Sequence, residues 1–198
     1  AAAIEDVAEA AIPDDCEAIL VVEGQTDATF LRTAARVENR PDLLDGLHIH
    51  ASQGAEAAAQ DAILWRARNL APVLVLLDAD GHGRKAREHL VNGFSFPKSD
   101  VLTYRKTLDV EDCEAEWLLG ERLLAQFLQQ YGDEAVVSSK RIEADGFAGW
   151  VYGLHPTAKE PLSLFVEQNA APGDLQRFVT VLEHVREQAR KRIGEWRR

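Results

Sequence analysis

The fold is decided by the stretch Val73-Leu74-Val75-Leu76-Leu77-Asp78-Ala79-Asp80-Gly81-His82-Gly83, in which an apolar run leads directly into two aspartates. An unbroken run of branched apolar residues, followed by glycine and a helical pattern, is typical of a buried strand in a parallel sheet. Upstream, Ile19-Leu20-Val21-Val22 leads into Glu23-Gly24-Gln25-Thr26-Asp27 in the same way. Both stretches therefore predict parallel strands that end in carboxylates.

Strand-like and helical patterns alternate outward from these two stretches. We predict strands over residues 17–22, 47–51, 73–77 and 101–104, separated by helices over about 27–37, 55–70 and 83–90. Right-handed crossovers would place these strands in one parallel sheet with helices on both faces. The predicted fold class is α/β, with a Rossmann-like four-stranded parallel sheet.

The pattern divides the chain into three parts. Residues 1–16 are an alanine-rich lead-in, residues 17–105 the α/β domain, and residues 106–198 a mainly helical extension. Within the extension, helical spacing marks residues 114–131, 161–169 and 174–193, whereas the pattern of residues 135–157 is ambiguous. We therefore expect a C-terminal helical extension behind the sheet.

Four carboxylates are predicted to meet at one edge of the sheet, those of Glu23, Asp27, Asp78 and Asp80. The carboxyl ends of parallel strands lie at the same edge, where ligands bind. Like charges repel at short range, so such a cluster must be protonated or neutralised by a cation. Because all-oxygen ligand sets suit Mg²⁺ and Mn²⁺, the sequence predicts a divalent-metal site.

A second acidic stretch follows the fourth strand and has two interpretations. Asp109, Glu111, Asp112 and Glu114 can supply further metal ligands, Glu111 first and Asp109 second. Alternatively, these acids favour the first turn of a helix, and Asp109 with Asp112 resembles a capping box. The sequence leaves both interpretations open.

The stretch Gly81-His82-Gly83-Arg84-Lys85-Ala86 matches the dinucleotide-binding pattern G-x-G-x-x-A. Its surroundings argue against that function, because Asp78 and Asp80 would face the pyrophosphate. The acidic residue expected at the end of the next strand is also missing, since Asp100 precedes that strand.

Composition bears on the partners, the cysteine chemistry and the location of the protein. The net charge of −11 argues against nucleic-acid binding. However, basic residues cluster around Arg84 and near the C-terminus, and cations bound to the acidic residues would invert the local electric field. The two cysteines are far apart and indicate neither a zinc site nor a disulfide framework. The sequence has no initiator Met and no signal segment, and no apolar run approaches the roughly 20 residues of a membrane span. We therefore expect that the chain is part of a longer cytoplasmic protein.

Two motifs carry a resemblance to a known family. Glu23-Gly24-x-x-Asp27 and Asp78-x-Asp80-x-x-Gly83 resemble the Toprim domain of topoisomerases, primases, recombination proteins and certain nucleases. With Asp109-Val110-Glu111-Asp112 and a late lysine, the chain most resembles the C-terminal nuclease half of OLD (overcoming lysogenization defect) proteins. The resemblance covers about residues 17–105 and is weaker beyond them.

The resemblance implies a DNA endonuclease that uses two Mg²⁺ or Mn²⁺ ions, with an N-terminal ATPase region of the same protein as its partner. The implied catalytic residues are Glu23, Asp78 and Lys159, with Lys140 and Lys106 as alternative lysines. The implied metal ligands are Glu23, Asp27, Asp78, Asp80, Asp109 and Glu111. RNA cleavage, nucleotidyl transfer and a non-catalytic interaction module are alternatives on the same domain. The resemblance leaves oligomer formation open and implies no membrane partner.

Overall fold

A four-stranded, all-parallel sheet forms the centre of the protein in a computed structural model that describes residues 12–108, 113–144 and 147–197. Its strands are β1 (Ala18–Val22), β2 (Leu47–Ala51), β3 (Val73–Leu77) and β4 (Val101–Thr103), in the spatial order β2-β1-β3-β4. Every strand pair is parallel. The predicted α/β fold with a four-stranded parallel sheet is therefore confirmed, and the strand bounds differ from the prediction by no more than a residue at either end.

Helices connect the strands and cover both faces of the sheet. They are α1 (Gln25–Val37), α2 (Ala55–Arg68) and α3 (Gly81–Glu88), and α3 continues into a wider π-type turn over His89–Gly93. Successive strand residues point to opposite faces. Accordingly, Leu20 and Leu74 belong to one core cluster, whereas Val21 and Val75 belong to the second, which also contains Trp65 of α2.

The C-terminal part contains both helices and strands. After the one-turn helix α4 (Arg105–Leu108) and the 3₁₀ turn Ala115–Leu118 come α5 (Glu121–Tyr131), the strands β5 (Val136–Ala144) and β6 (Phe147–Leu154), α6 (Pro156–Asn169) and α7 (Gln176–Trp196). β5 and β6 form an antiparallel hairpin in the segment whose pattern was ambiguous. The predicted helical extension therefore also contains a two-stranded sheet, within the residues whose pattern left their structure open.

Two predicted helix starts in this part are wrong. The helix expected from residue 114 begins only at Glu121, because the chain first makes the 3₁₀ turn and passes through extended Leu119 and Gly120. The helix expected from Pro161 begins at Pro156, where the His155 side chain accepts a hydrogen bond from the Thr157 N–H. Pro at the first helical position is favourable since its missing N–H has no helical partner there.

The C-terminal helices share a core with the sheet. Phe178 of α7 is fully buried and packs against Phe30 of α1, with 5.4 Å between the ring centroids. Its ring also meets Tyr104, directly after β4, at 6.3 Å. Within the described ranges, no helix is long and apolar enough to cross a membrane.

Candidate active site at the carboxyl edge of the sheet

Acidic side chains from separate parts of the chain line one cavity at the carboxyl ends of β1 and β3. The cavity has a volume of about 210 Å³, and its charged lining residues are Glu23, Asp27, Asp78, Glu116 and Lys159. Glu23 and Asp78 reach it because each directly follows a fully buried strand. The structure thus brings together Glu23, Asp27, Asp78 and Lys159 of the predicted site residues, while their catalytic and metal-binding roles stay predictions.

Glu23 ties the ends of the two central strands together. Its Oε1 accepts a hydrogen bond of 2.7 Å from the backbone N–H of Asp78. The first turn of α3 lies close against this contact: a Cβ added to Gly83 would stand 2.0 Å from the Asp78 carbonyl oxygen and 3.3 Å from Glu23 Oε1. The final glycine of the D-x-D-x-x-G motif is therefore required by the close approach of two backbones.

Asp78 and Asp27 are buried, and each has a protein donor. Asp78 Oδ1 accepts a 3.0 Å hydrogen bond from the backbone N–H of Ala115, which fixes the 3₁₀ turn across the end of β3. Asp27 Oδ1 accepts a 2.7 Å hydrogen bond from the buried Tyr104 hydroxyl. A carboxylate has two oxygens, so a hydrogen bond at one leaves the other able to bind a ligand.

Asp80 has a structural role at the start of α3. It is the N-cap residue of the helix, and its Oδ1 accepts a 2.7 Å hydrogen bond from the Gly83 N–H. Asp80 does not line the cavity, although its charge acts on Glu23. Its predicted role as a metal ligand therefore stays a prediction, to be separated from capping by experiment.

Lys159 extends from α6 into the cavity. Its Nζ lies 2.9 Å from Glu116 Oε1 and 4.0 Å from Glu114 Oε2. Of the alternative lysines, Lys140 is exposed on β5, and the side chain of Lys106 is outside the described part of the structure. The geometry therefore favours Lys159 over Lys140.

Glu116 is a site residue that the sequence interpretation missed. It is only 3% exposed, and its Oε2 is buried without a hydrogen-bond partner among the residues that the structure describes. A buried charged oxygen without a partner is costly, which marks a place where a cation or a donor is expected. The signal in the sequence was its position directly before the apolar run Trp117-Leu118-Leu119, which indicates burial.

Burial and mutual repulsion make the carboxylates hard to ionise. Burial, together with Asp27 and Asp80, raises the pKa of Glu23 to about 7. Burial and Glu116 raise the pKa of Asp27 to about 6, and the pKa of Asp78 lies well above its ordinary range for the same reasons. Burial alone would lower the pKa of Lys159, but Glu116 and Asp78 raise it, so the ammonium group stays charged at neutral pH.

The donor set suits an open magnesium site. Asp109 and Glu111, predicted as ligands, and Asp112 lie outside the described residues. Within the described part of the chain, no three His, Cys, Asp or Glu side chains are grouped closely enough to hold a metal ion by themselves. Mg²⁺ usually takes only one or two carboxylates and completes its shell with water and substrate phosphate. The carboxylate oxygens of the cavity therefore fit Mg²⁺ or Mn²⁺.

Comparisons with protein-family models, with curated proteins and with solved structures gave no match to this chain.

Proposed function

We propose that the chain is a Toprim-type endonuclease that uses Mg²⁺ or Mn²⁺ to hydrolyse phosphodiester bonds in DNA, as the nuclease region of an OLD-type ATPase-nuclease. The observation that carries the proposal is the shared cavity of Glu23, Asp27, Asp78, Glu116 and Lys159. Burying several carboxylates together is unfavourable unless a cation or protons offset their repulsion. The arrangement is explained if cation binding is its function.

The residues that would hold the ions are the cavity carboxylates Glu23, Asp27 and Asp78, joined by Asp80 and by Asp109 and Glu111. When bound, two such ions supply an activated water and stabilise the charge on the leaving oxygen. Asp78 is the central candidate because it follows β3, whose five residues are all buried and therefore hold it rigidly. Hydrogen bonds from Tyr104 and Ala115 fix the orientation of Asp27 and Asp78.

Lys159 and Glu23 have roles that follow from their charges. The Lys159 ammonium group can stabilise negative charge that develops on a phosphate beside the carboxylates. The contact between Lys159 Nζ and Glu116 restricts the position of the ammonium charge. Because the pKa of Glu23 is about 7, its carboxyl group can take up or release a proton near neutral pH, as acid–base catalysis requires.

DNA binding by this chain should depend strongly on the metal ions. The net charge is −11, so the chain repels phosphates unless cations are bound. We therefore expect weak, salt-sensitive binding, which the proposed ATPase region would strengthen in the full-length protein.

The test is a nicking assay on supercoiled plasmid with Mg²⁺ or Mn²⁺. Wild type should nick the plasmid, whereas Asp78→Asn and Glu23→Gln should lose the activity because they keep the side-chain shape and remove the charge. Glu88→Gln is the matched control, since it removes an exposed carboxylate from α3 outside the cavity.

The alternatives predict other results when RNA and nicked DNA are tested under the same conditions. Cleavage of RNA but not of DNA, or joining of DNA ends without cleavage, would show that the protein has another Toprim activity and is not a DNA endonuclease. No cleavage of either nucleic acid with any divalent ion would leave the non-catalytic module as the remaining interpretation.

A further inference from the structure

A second pocket lies directly beside the carboxylate cavity and shares Glu116 with it. Its volume is about 230 Å³, and it is enclosed by the 3₁₀ turn, by α5 and by β6. Three aromatic side chains line it, those of Trp117, Trp150 and Tyr152, together with leucines of α5. The volume is below the roughly 300–1,000 Å³ of pockets for drug-sized molecules, so it has room for one small planar group.

The walls contain polar atoms that have no partner. Glu116 Oε2 and Trp117 Nε1 are both buried and make no hydrogen bond to any described residue. One is an acceptor and the other a donor. Buried polar groups are normally paired, so the two atoms indicate a ligand that carries both a donor and an acceptor.

The outer face of the hairpin adds an aromatic surface and positive charge at the same place. Trp150 is 53% exposed although it is a large apolar residue. Directly opposite it on β5 stands the exposed Arg141, whose guanidinium also lies 3.3 Å from Glu143 Oε1. Aromatic rings beside basic side chains are the combination with which proteins bind single-stranded nucleic acid.

We propose that this pocket binds one unpaired nucleobase of the strand whose phosphate lies in the carboxylate cavity. The inference rests on the proposed function, because Glu116 joins the two sites. The base stacks on the aromatic side chains, and the backbone of the DNA strand runs past Arg141. The substrate is then DNA that is single-stranded or locally unpaired near the cleaved bond.

The charges in the pocket select the kind of base. Glu116 and Glu121 line it and, when ionised, can only accept hydrogen bonds. Cytosine offers an amino donor to a carboxylate, whereas thymine presents carbonyl oxygens on both sides of its single N–H. The pocket therefore prefers cytosine over thymine.

The first test is quenching of tryptophan fluorescence by deoxycytidine and by thymidine in EDTA. These nucleosides carry no phosphate, so neither a metal ion nor cleavage is needed. Deoxycytidine should quench and bind at least about fivefold more tightly than thymidine. Trp150→Phe should lower the signal, and Trp117, which also lines the pocket, should account for the rest. Trp196→Phe should retain it, because Trp196 is similarly exposed, at 51%, but does not line the pocket. Equal binding of both nucleosides, or a signal unchanged in Trp150→Phe, would overturn the proposal.

The second test obstructs the pocket. Ala125 is an exposed pocket residue on α5, so Ala125→Phe should weaken deoxycytidine binding about tenfold without disturbing the core. Gln129→Phe, at an exposed position of the same helix outside the pocket, should leave binding unchanged. Wild-type affinity in Ala125→Phe would contradict the inference. Plasmid nicking without nucleoside binding would refute the base pocket alone, and nucleoside binding without nicking would refute the nuclease alone.

Discussion

At the scale of single residues, Gly83 is a position where one added carbon atom is not tolerated. A Cβ there would stand 2.0 Å from the Asp78 carbonyl oxygen, a backbone atom that cannot easily move. We predict that Gly83→Ala lowers the free energy of unfolding by about 1–3 kcal/mol, as overpacking usually does, and also reduces cleavage by displacing Glu23. Chemical denaturation and the nicking assay measure the two effects.

Gly81 provides the matched control two residues earlier in α3. A Cβ there would meet only the end of the flexible Arg84 side chain, at 4.0 Å. Gly81→Ala should therefore be neutral or stabilise the protein by up to about 1 kcal/mol, since alanine favours a helix over glycine. Equal losses in both variants would show that the contact at Gly83 is not what requires glycine.

The raised pKa of Glu23 predicts how the stability of the metal-free protein depends on pH. In the folded protein this pKa is about 7, above the roughly 4.3 of an unfolded chain. Between these pH values the folded state binds more protons than the unfolded state. The stability that protonated Glu23 contributes is therefore fully present below about pH 4 and is lost as the pH rises through about 7. Asp27 and Asp78, whose pKa values are also raised, act in the same direction.

Glu23→Gln isolates this effect. The substitution keeps an oxygen that can accept the Asp78 N–H and removes the charge. Burial lowers the pKa of His48, so the contribution of His48 to stability increases with pH and opposes that of Glu23. The quantity to measure is therefore the difference in free energy of unfolding between wild type and variant at each pH. In EDTA, Glu23→Gln should become relatively more stable as pH rises from 5 to 8. A constant difference in free energy of unfolding over this range would contradict the assignment of a repelling carboxylate.

At the scale of elements, Asp80 distinguishes a helix cap from a metal ligand. Its side chain caps α3 at Gly83. Asp80→Ala should cost about 1 kcal/mol of stability, whereas Asp80→Asn should retain the cap, because asparagine is an equally good N-cap residue. If Asp80 also binds metal, both variants lose plasmid nicking. Wild-type nicking by Asp80→Asn would restrict Asp80 to its capping role.

The elements also show what the sequence could and could not predict. β1 and β3 were predictable because they are buried on both faces and appear as continuous apolar runs that end at Glu23 and Asp78. The hairpin was not predictable, because most of β5 is exposed and lacks an alternating apolar pattern. Glu116 was missed for a different reason: it comes to line the cavity beside Lys159, which lies 43 residues later in the chain, only in the folded protein.

At the scale of the whole molecule, the C-terminal helices are part of the structural core of the α/β domain. Phe178 is fully buried against Phe30 and Tyr104. We predict that a chain ending at Arg105 does not unfold cooperatively, whereas the whole chain shows one transition that is the same by circular dichroism and by fluorescence. A cooperative transition in the shortened chain would show that the sheet is stable without the helices.

The proposed nuclease requires that the buried carboxylates form a divalent-cation site, and titration of the metal-free protein with Mn²⁺ measures this binding. Bound Mn²⁺ is distinguished from free Mn²⁺ by electron paramagnetic resonance, without substrate or turnover. We expect binding to wild type and to Glu88→Gln, and at least a tenfold loss of affinity in Glu23→Gln and in Asp78→Asn. Equal Mn²⁺ affinity in all four proteins would contradict it.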